Sequence, residues 1–289
     1  DVYNLLSNET TSKNVMVRKT YSIPEKLISK KPFCLFISYS GNTEETISGI
    51  NDAISNELDW AVISSGGKLI SYAEKHKKPY IKIPKGLQPR AAFGYLTQAV
   101  CKYIDLVENT NYLDEIKSAG EYLNNILEEK ENAEIYINSK ELAKKINKKT
   151  CVIYGGTPLT ELVSRRWKTQ INENAKSKAY VGSMPEVHHN EILSWDADPA
   201  SSKNDYVLIF LRDPEEHPQI KKRFELTEKL LGDKVDIYNI ETKTSDSLLK
   251  KIMELVLFGD LFSISLSDEL GMIPEDIEGI ENLKEMLGE

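Results

Sequence analysis

FCLFISYSGNTEETISGI, residues 33–50, changes from one kind of order to another within a few positions. Phe33–Ser38 is a short apolar run with the length and composition of a buried parallel strand, and Ile47, Ile50 and Ile54 then recur at helical spacing. Between the two patterns stand Ser38, Ser40, Gly41, Asn42 and Thr43. A strand that runs through a short loop straight into a helix opens a βαβ unit. In open α/β sheets the ligand sites lie at such carboxyl ends of strands.

The same beat continues on the C-terminal side. Residues 60–64 (WAVIS) and 80–84 (YIKIP) have strand character, while 42–56 and 67–76 show helical spacing, and 90–107 reads as a long, mostly buried helix. That order defines a doubly wound α/β domain over residues 1–110. Residues 111–149 are rich in Glu, Lys and Asn, with Ile116, Leu123, Ile126 and Leu127 at helical intervals. They read as two connecting helices, since a flexible linker would favour Gly, Ser or Pro. The strand pattern then restarts at 150–155, 178–181, 206–211 and 235–240, alternating with helical stretches at 158–174, 185–193, 216–231 and 245–270. The expectation is an α/β protein of two tandem doubly wound parallel-sheet domains, 1–110 and 150–289, joined by helices at 111–149.

Composition narrows the function. A formal net charge of −8 argues against nucleic acid as a partner, because phosphate backbones are bound by basic surfaces. A small anion needs only a local positive site and stays open. Cys34, Cys101 and Cys151 lie far apart without metal-ligand spacing, as expected of reduced thiols. No apolar run approaches the roughly 18 residues of a membrane span, and no signal-peptide pattern opens the sequence, so a cytoplasmic location is expected.

The opening loop has two readings from its residues. The amides of a helix's first turn lack internal partners and carry the positive end of the dipole, so a phosphate is favoured there without any lysine. Hydroxyls of Ser38, Ser40 and Thr43 could add hydrogen bonds, and Gly41 permits close approach of the backbone. Alternatively Asn42 caps the helix with Glu45 as its reciprocal partner. That reading accounts for Asn42 and Glu45 but not for Ser38 and Ser40.

SYSGNTEET (residues 38–46) closely resembles the phosphate-binding loop of SIS (sugar isomerase) domains. The likeness extends to QPRAAFGYL (88–96), NENAKSKAYVGSMPEVHHNEI (172–192) and NLKEML (282–287). Together these segments resemble the archaeal-type bifunctional phosphoglucose/phosphomannose isomerases, which have two SIS domains. The resemblance implies two tandem SIS-type domains and interconversion of glucose 6-phosphate and mannose 6-phosphate with fructose 6-phosphate through an enediol(ate). It implies that Ser38, Ser40 and Thr43 hold the phosphate and that no cofactor or metal is needed. Glu173 becomes the base, His189 the ring-opening acid/base, Arg90 the cation beside the enediolate, and Lys284 the contact to the ring oxygen. In the family a hydroxyl residue near that lysine accompanies dual epimer use; Ile277 stands there in this chain. The family's histidine enters the neighbouring subunit's site, so a homodimer is expected. A glycine-rich strand–loop usually precedes the phosphate loop; DVYNLLSN, at the start of this sequence, does not contain one, and the expectation is that this segment is missing from the sequence.

The residues alone say less. Glu173 and Lys284 would pass as solvated charges, His76 and His217 read as surface residues, and adjacent His188 and His189 cannot share one helical face. Arg90 at a helix start opposes the dipole, which hints at another duty. The alternatives are a non-catalytic sugar-phosphate-binding SIS regulator and another SIS sugar-phosphate isomerase.

Overall fold

The computed structural model describes residues 2, 5, 6, 15–244 and 246–287, and the chain falls into two compact units that divide after Ile116. In the first unit β1 (Cys34–Ile37), β2 (Trp60–Ser64) and β3 (Tyr80–Lys82) form a parallel sheet in the order β1-β2-β3, with Cys34 opposite Trp60 and Val62 opposite Tyr80. Every residue of β2 is buried, as its unbroken apolar run demands. β1 departs from expectation: Cys34–Phe36 are half-buried and Ile37 is exposed, because β1 is an edge strand among the described residues. Helices α1 (Glu44–Ser55) and α2 (Gly67–Lys75) bury Ile50, Ala53, Leu69 and Ala73 against Trp60 and Val62. A 3₁₀ turn at Pro89–Ala92 leads into α3 (Phe93–Glu108).

The charged stretch forms α4 (Tyr112–Ile126) and α5 (Glu134–Ile146). In the second unit β4 (Thr150–Gly155), β5 (Ala179–Ser183), β6 (Tyr206–Arg212) and β7 (Asp236–Glu241) are all parallel in the order β5-β4-β6-β7. The reversal about β4 is the doubly wound signature. Around this sheet pack α6 (Pro158–Asn174), α7 (Pro218–Leu231) and α8 (Leu248–Leu270); α9 (Glu278–Leu287) follows. Trp167 of α6 stacks on Phe258 and Phe262 of α8 and donates its indole N–H to Leu255 O at 2.8 Å. Gly259 makes that approach possible, since a Cβ there would lie 2.3 Å from the Trp167 nitrogen.

One expected helix does not form. Residues 185–193 break into two 3₁₀ turns, Glu186–His188 and Glu191–Leu193. Asn190 between them leaves helical geometry at φ −145°, ψ −65°, and its side chain accepts from Glu191 N instead. Position 245, at the start of the expected 245–270 helix, lies outside the described residues; the helix itself runs Leu248–Leu270.

Candidate active site

The opening loop bridges β1 and α1. Ser38 is buried, accepts from Gly41 N at 3.2 Å and shares a 2.7 Å hydrogen bond with Thr43 Oγ1. Ser40 Oγ accepts from Asn42 N, and both Ser40 and Thr43 face solvent. Gly41 has φ +73°, and a Cβ there would fall 1.9 Å from Gly66 O, so the close approach of this loop to the Ser64–Gly67 loop requires glycine.

Asn42 and Glu45 do not form a capping box on α1. Thr43, not Asn42, is the N-cap of α1, and no side chain bonds to the helix amides from that position. Asn42 Oδ1 accepts instead from Lys68 N at 2.9 Å, in the first turn of α2. The first-turn amides of α1 are left uncapped beside two exposed hydroxyls. Glu44, an unfavourable neighbour for an anion, accepts a hydrogen bond from Tyr21 Oη at 2.8 Å. The corner can therefore receive a phosphate oxygen on backbone N–H and hydroxyl donors.

Arg90 sits half-buried in the 3₁₀ turn after β3, its Nη1 donating to Gln88 Oε1. Its loop is tied to the β1–α1 loop: Leu87 N donates to Tyr39 Oη at 2.8 Å, and Tyr39 lies between Ser38 and Ser40. The structure thus gathers Ser38, Ser40, Thr43 and Arg90 onto loops at the carboxyl end of one sheet. Tyr39 escaped the sequence reading because a loop tyrosine carries no pattern of its own.

In the second unit Glu173 is half-buried in the last turn of α6. Its neighbours close the helix. Asn172 Nδ2 donates to Ser177 O, and buried Asn174 donates to Ser263 Oγ of α8. Lys176, at φ +52°, donates through Nζ to both Glu173 O and Pro274 O. NENAK is therefore a helix-ending structure that holds the Glu173 carbonyl, and it also anchors the segment before α9; Lys284 on α9 is exposed.

The two histidines separate. His188 packs against α7, with Thr227 Oγ1 2.7 Å from Nε2 and Arg223 Nη1 3.0 Å from Nδ1. Desolvation, then Arg223 and His189, hold His188 below the ordinary histidine range. His189 is exposed at the end of the Glu186–His188 turn. Glu191 of the same segment accepts from buried Tyr154 Oη at 2.7 Å. His76 and His217 are exposed; His217 Nδ1 also accepts from Gln219 N at the start of α7. Burial pushes the Cys101 and Cys151 thiols up to about 12, and all three cysteines are free. Among the described residues no three His, Cys, Asp or Glu side chains converge into a metal-binding set, and no helix is long and apolar enough to cross a membrane.

Comparison with known proteins supplies the family. Residues 137–287 match the family of bacterial phospho-glucose isomerase C-terminal SIS domains. The bifunctional phosphoglucose/phosphomannose isomerase of Aquifex aeolicus is 34% identical over 283 residues, covering 98% of this chain and 84% of the relative. The enzyme of the same name from Thermoplasma acidophilum is 35% identical over 289 residues, with the same coverage. This chain belongs to the bifunctional phosphoglucose/phosphomannose isomerase family. A similar fold is seen in glucosamine-6-phosphate deaminase from Thermotoga maritima, at TM-score 0.61 and 12% identity over 90% of this chain and 74% of that one.

Proposed function

We propose that this protein interconverts glucose 6-phosphate and mannose 6-phosphate with fructose 6-phosphate. The observation that carries the reading is the β1–α1 corner, with uncapped helix amides and exposed hydroxyls, in a chain of this family. The substrate's phosphate binds Ser38, Ser40 and Thr43. His189 moves the proton that opens the ring, with Lys284 at the ring oxygen. Glu173 then carries a proton between C1 and C2, and Arg90 stabilises the negative enediolate oxygen, which is worth most in a water-poor site. Because Arg90 supplies that charge, prolonged chelation leaves activity intact; activity lost to a chelator and restored by zinc would refute the assignment. The primary test is a coupled assay for glucose 6-phosphate formed from fructose 6-phosphate, run in parallel for mannose 6-phosphate. No turnover of either aldose would sink the reading.

The working unit in this reading is a two-fold homodimer in which each site takes His189 from its partner. Mixing inactive Glu173→Gln and His189→Ala proteins under subunit exchange then restores about a quarter of wild-type activity. Half the dimers are mixed, and each of those has one intact site, as two-fold symmetry requires. Exchange without recovery would mean that His189 acts within its own chain or not at all.

A further inference from the structure

The segment bearing His189 has little order of its own. It is a three-residue 3₁₀ turn, and such short turns owe their geometry to tertiary anchors. Two anchors flank it. On one side Tyr154 Oη donates to Glu191 Oε1, and Trp195 Nε1 donates to the same tyrosine oxygen at 3.2 Å. On the other, the His188 ring lies between Arg223 and Thr227 of α7.

Proton accounting fixes the state of that ring. A guanidinium only donates, so His188 Nδ1 accepts from Arg223 Nη1. Thr227 has one hydroxyl proton, and it goes to Arg223 O at 2.7 Å. Thr227 Oγ1 must therefore accept from His188 Nε2–H. The ring is the neutral Nε2–H tautomer, with both nitrogens committed.

We propose that the Arg223–His188–Thr227 chain is the clamp that aims His189, making His188 and Arg223 positioning residues for the isomerisation. The proposal rests on the reading of His189 as the ring-opening acid/base. Protonation at Nδ1 would convert its acceptor into a donor facing the guanidinium, so the clamp exists only with His188 neutral. The charged and titratable groups at the ring are Arg223, on α7, and the adjoining His189, and both oppose protonation together with desolvation. The clamp is complete above the free-histidine value near 6.5 and is lost as pH falls through the lower folded value.

Nitrogen-15 NMR of the imidazoles in the intact protein tests the geometry directly. The expected result is a pyridine-type Nδ1 and a pyrrole-type Nε2 on His188; the opposite tautomer, or averaging between the two, overturns the clamp. With fructose 6-phosphate, His188→Ala and Arg223→Met should each lower kcat about 10- to 100-fold, the scale of a misplacement near 1 Å, with KM within twofold. His188→Gln, which offers both a donor and an acceptor, should recover part of the loss. Should His188→Ala fail to fold, Arg223→Met carries the kinetic test. Wild-type kcat in His188→Ala or Arg223→Met beside an inactive His189→Ala overturns the positioning role and leaves the His189 reading standing. Full activity in His189→Ala removes that reading and the positioning with it.

Discussion

Two strand–loop–helix corners of this protein look alike in sequence and do opposite things. In the first unit ISYSGNTEE (37–45) joins β1 to α1; in the second, YGGTPLTEL (154–162) joins β4 to α6. Both put small and hydroxyl residues where an α/β sheet binds ligands. The second corner consumes its own donors. Thr157 Oγ1 accepts from Thr160 N, and Thr160 Oγ1 accepts from Gly156 N and Thr157 N in a closed capping box. Pro158 removes one more amide hydrogen, and the Glu161 carboxylate takes the Ser183 hydroxyl. Gly155 lies so close to the helix start that a Cβ would meet Glu161 N at 2.7 Å. The first corner spends Asn42 on a neighbouring helix and leaves the first-turn amides of α1 uncapped. A hydroxyl-rich corner keeps helix amides open to a ligand only where its side chains do not cap its own helix.

The sharpest way to break this contrast lies at the far end of α6. If the second unit contributes chemistry from Glu173 and not from its closed corner, Glu173→Gln should lower kcat by about 10²–10⁴, the range for loss of a general base. KM should hardly move. Unchanged kcat would leave that unit without its assigned proton carrier. Next in size is a crossed comparison of the corners. Ser40→Ala or Thr43→Ala should raise KM about 10- to 100-fold, at ~1.5–3 kcal/mol for a hydrogen bond to a charged group. Thr157→Ala should leave KM alone and cost about 0.5–2 kcal/mol of stability through the lost cap, read from denaturant titration. A raised KM in Thr157→Ala would show that the second corner also touches substrate.

Two smaller effects refine the picture. His188 is held neutral while the unfolded chain titrates normally, so the unfolded state binds more protons as pH falls. Stability should therefore decline below about pH 6.5, with a smaller acid loss in His188→Gln, measured by thermal melting across pH. An identical acid slope in both proteins would remove His188 from that balance. Asn42→Ala should cost about 1 kcal/mol, as a cap lost from α2. The contrast is sharpened if KM stays near wild type, since Asn42 acts on the neighbouring helix.

The alternation of strands and helices, the two-sheet architecture and the hydroxyl-rich loop between β1 and α1 were legible in the sequence, because hydrophobic periodicity and loop chemistry are local. Helix α6 begins and ends where its pattern does, with Pro158 at the start and Asn174 at the end. Tertiary structure decided what depends on distant partners. β1 resembles a buried strand but lies at an edge, since burial depends on what pairs with a strand and not on its composition. Residues 185–193 carry enough apolar spacing for a helix, yet Tyr154, Arg223 and Thr227 hold them as two turns. Sequence could say that only one of His188 and His189 would face a site. Which of them turned inward was settled by α7, whose Arg223 and Thr227 match a neutral imidazole and are 35 and 39 residues away from it in the chain.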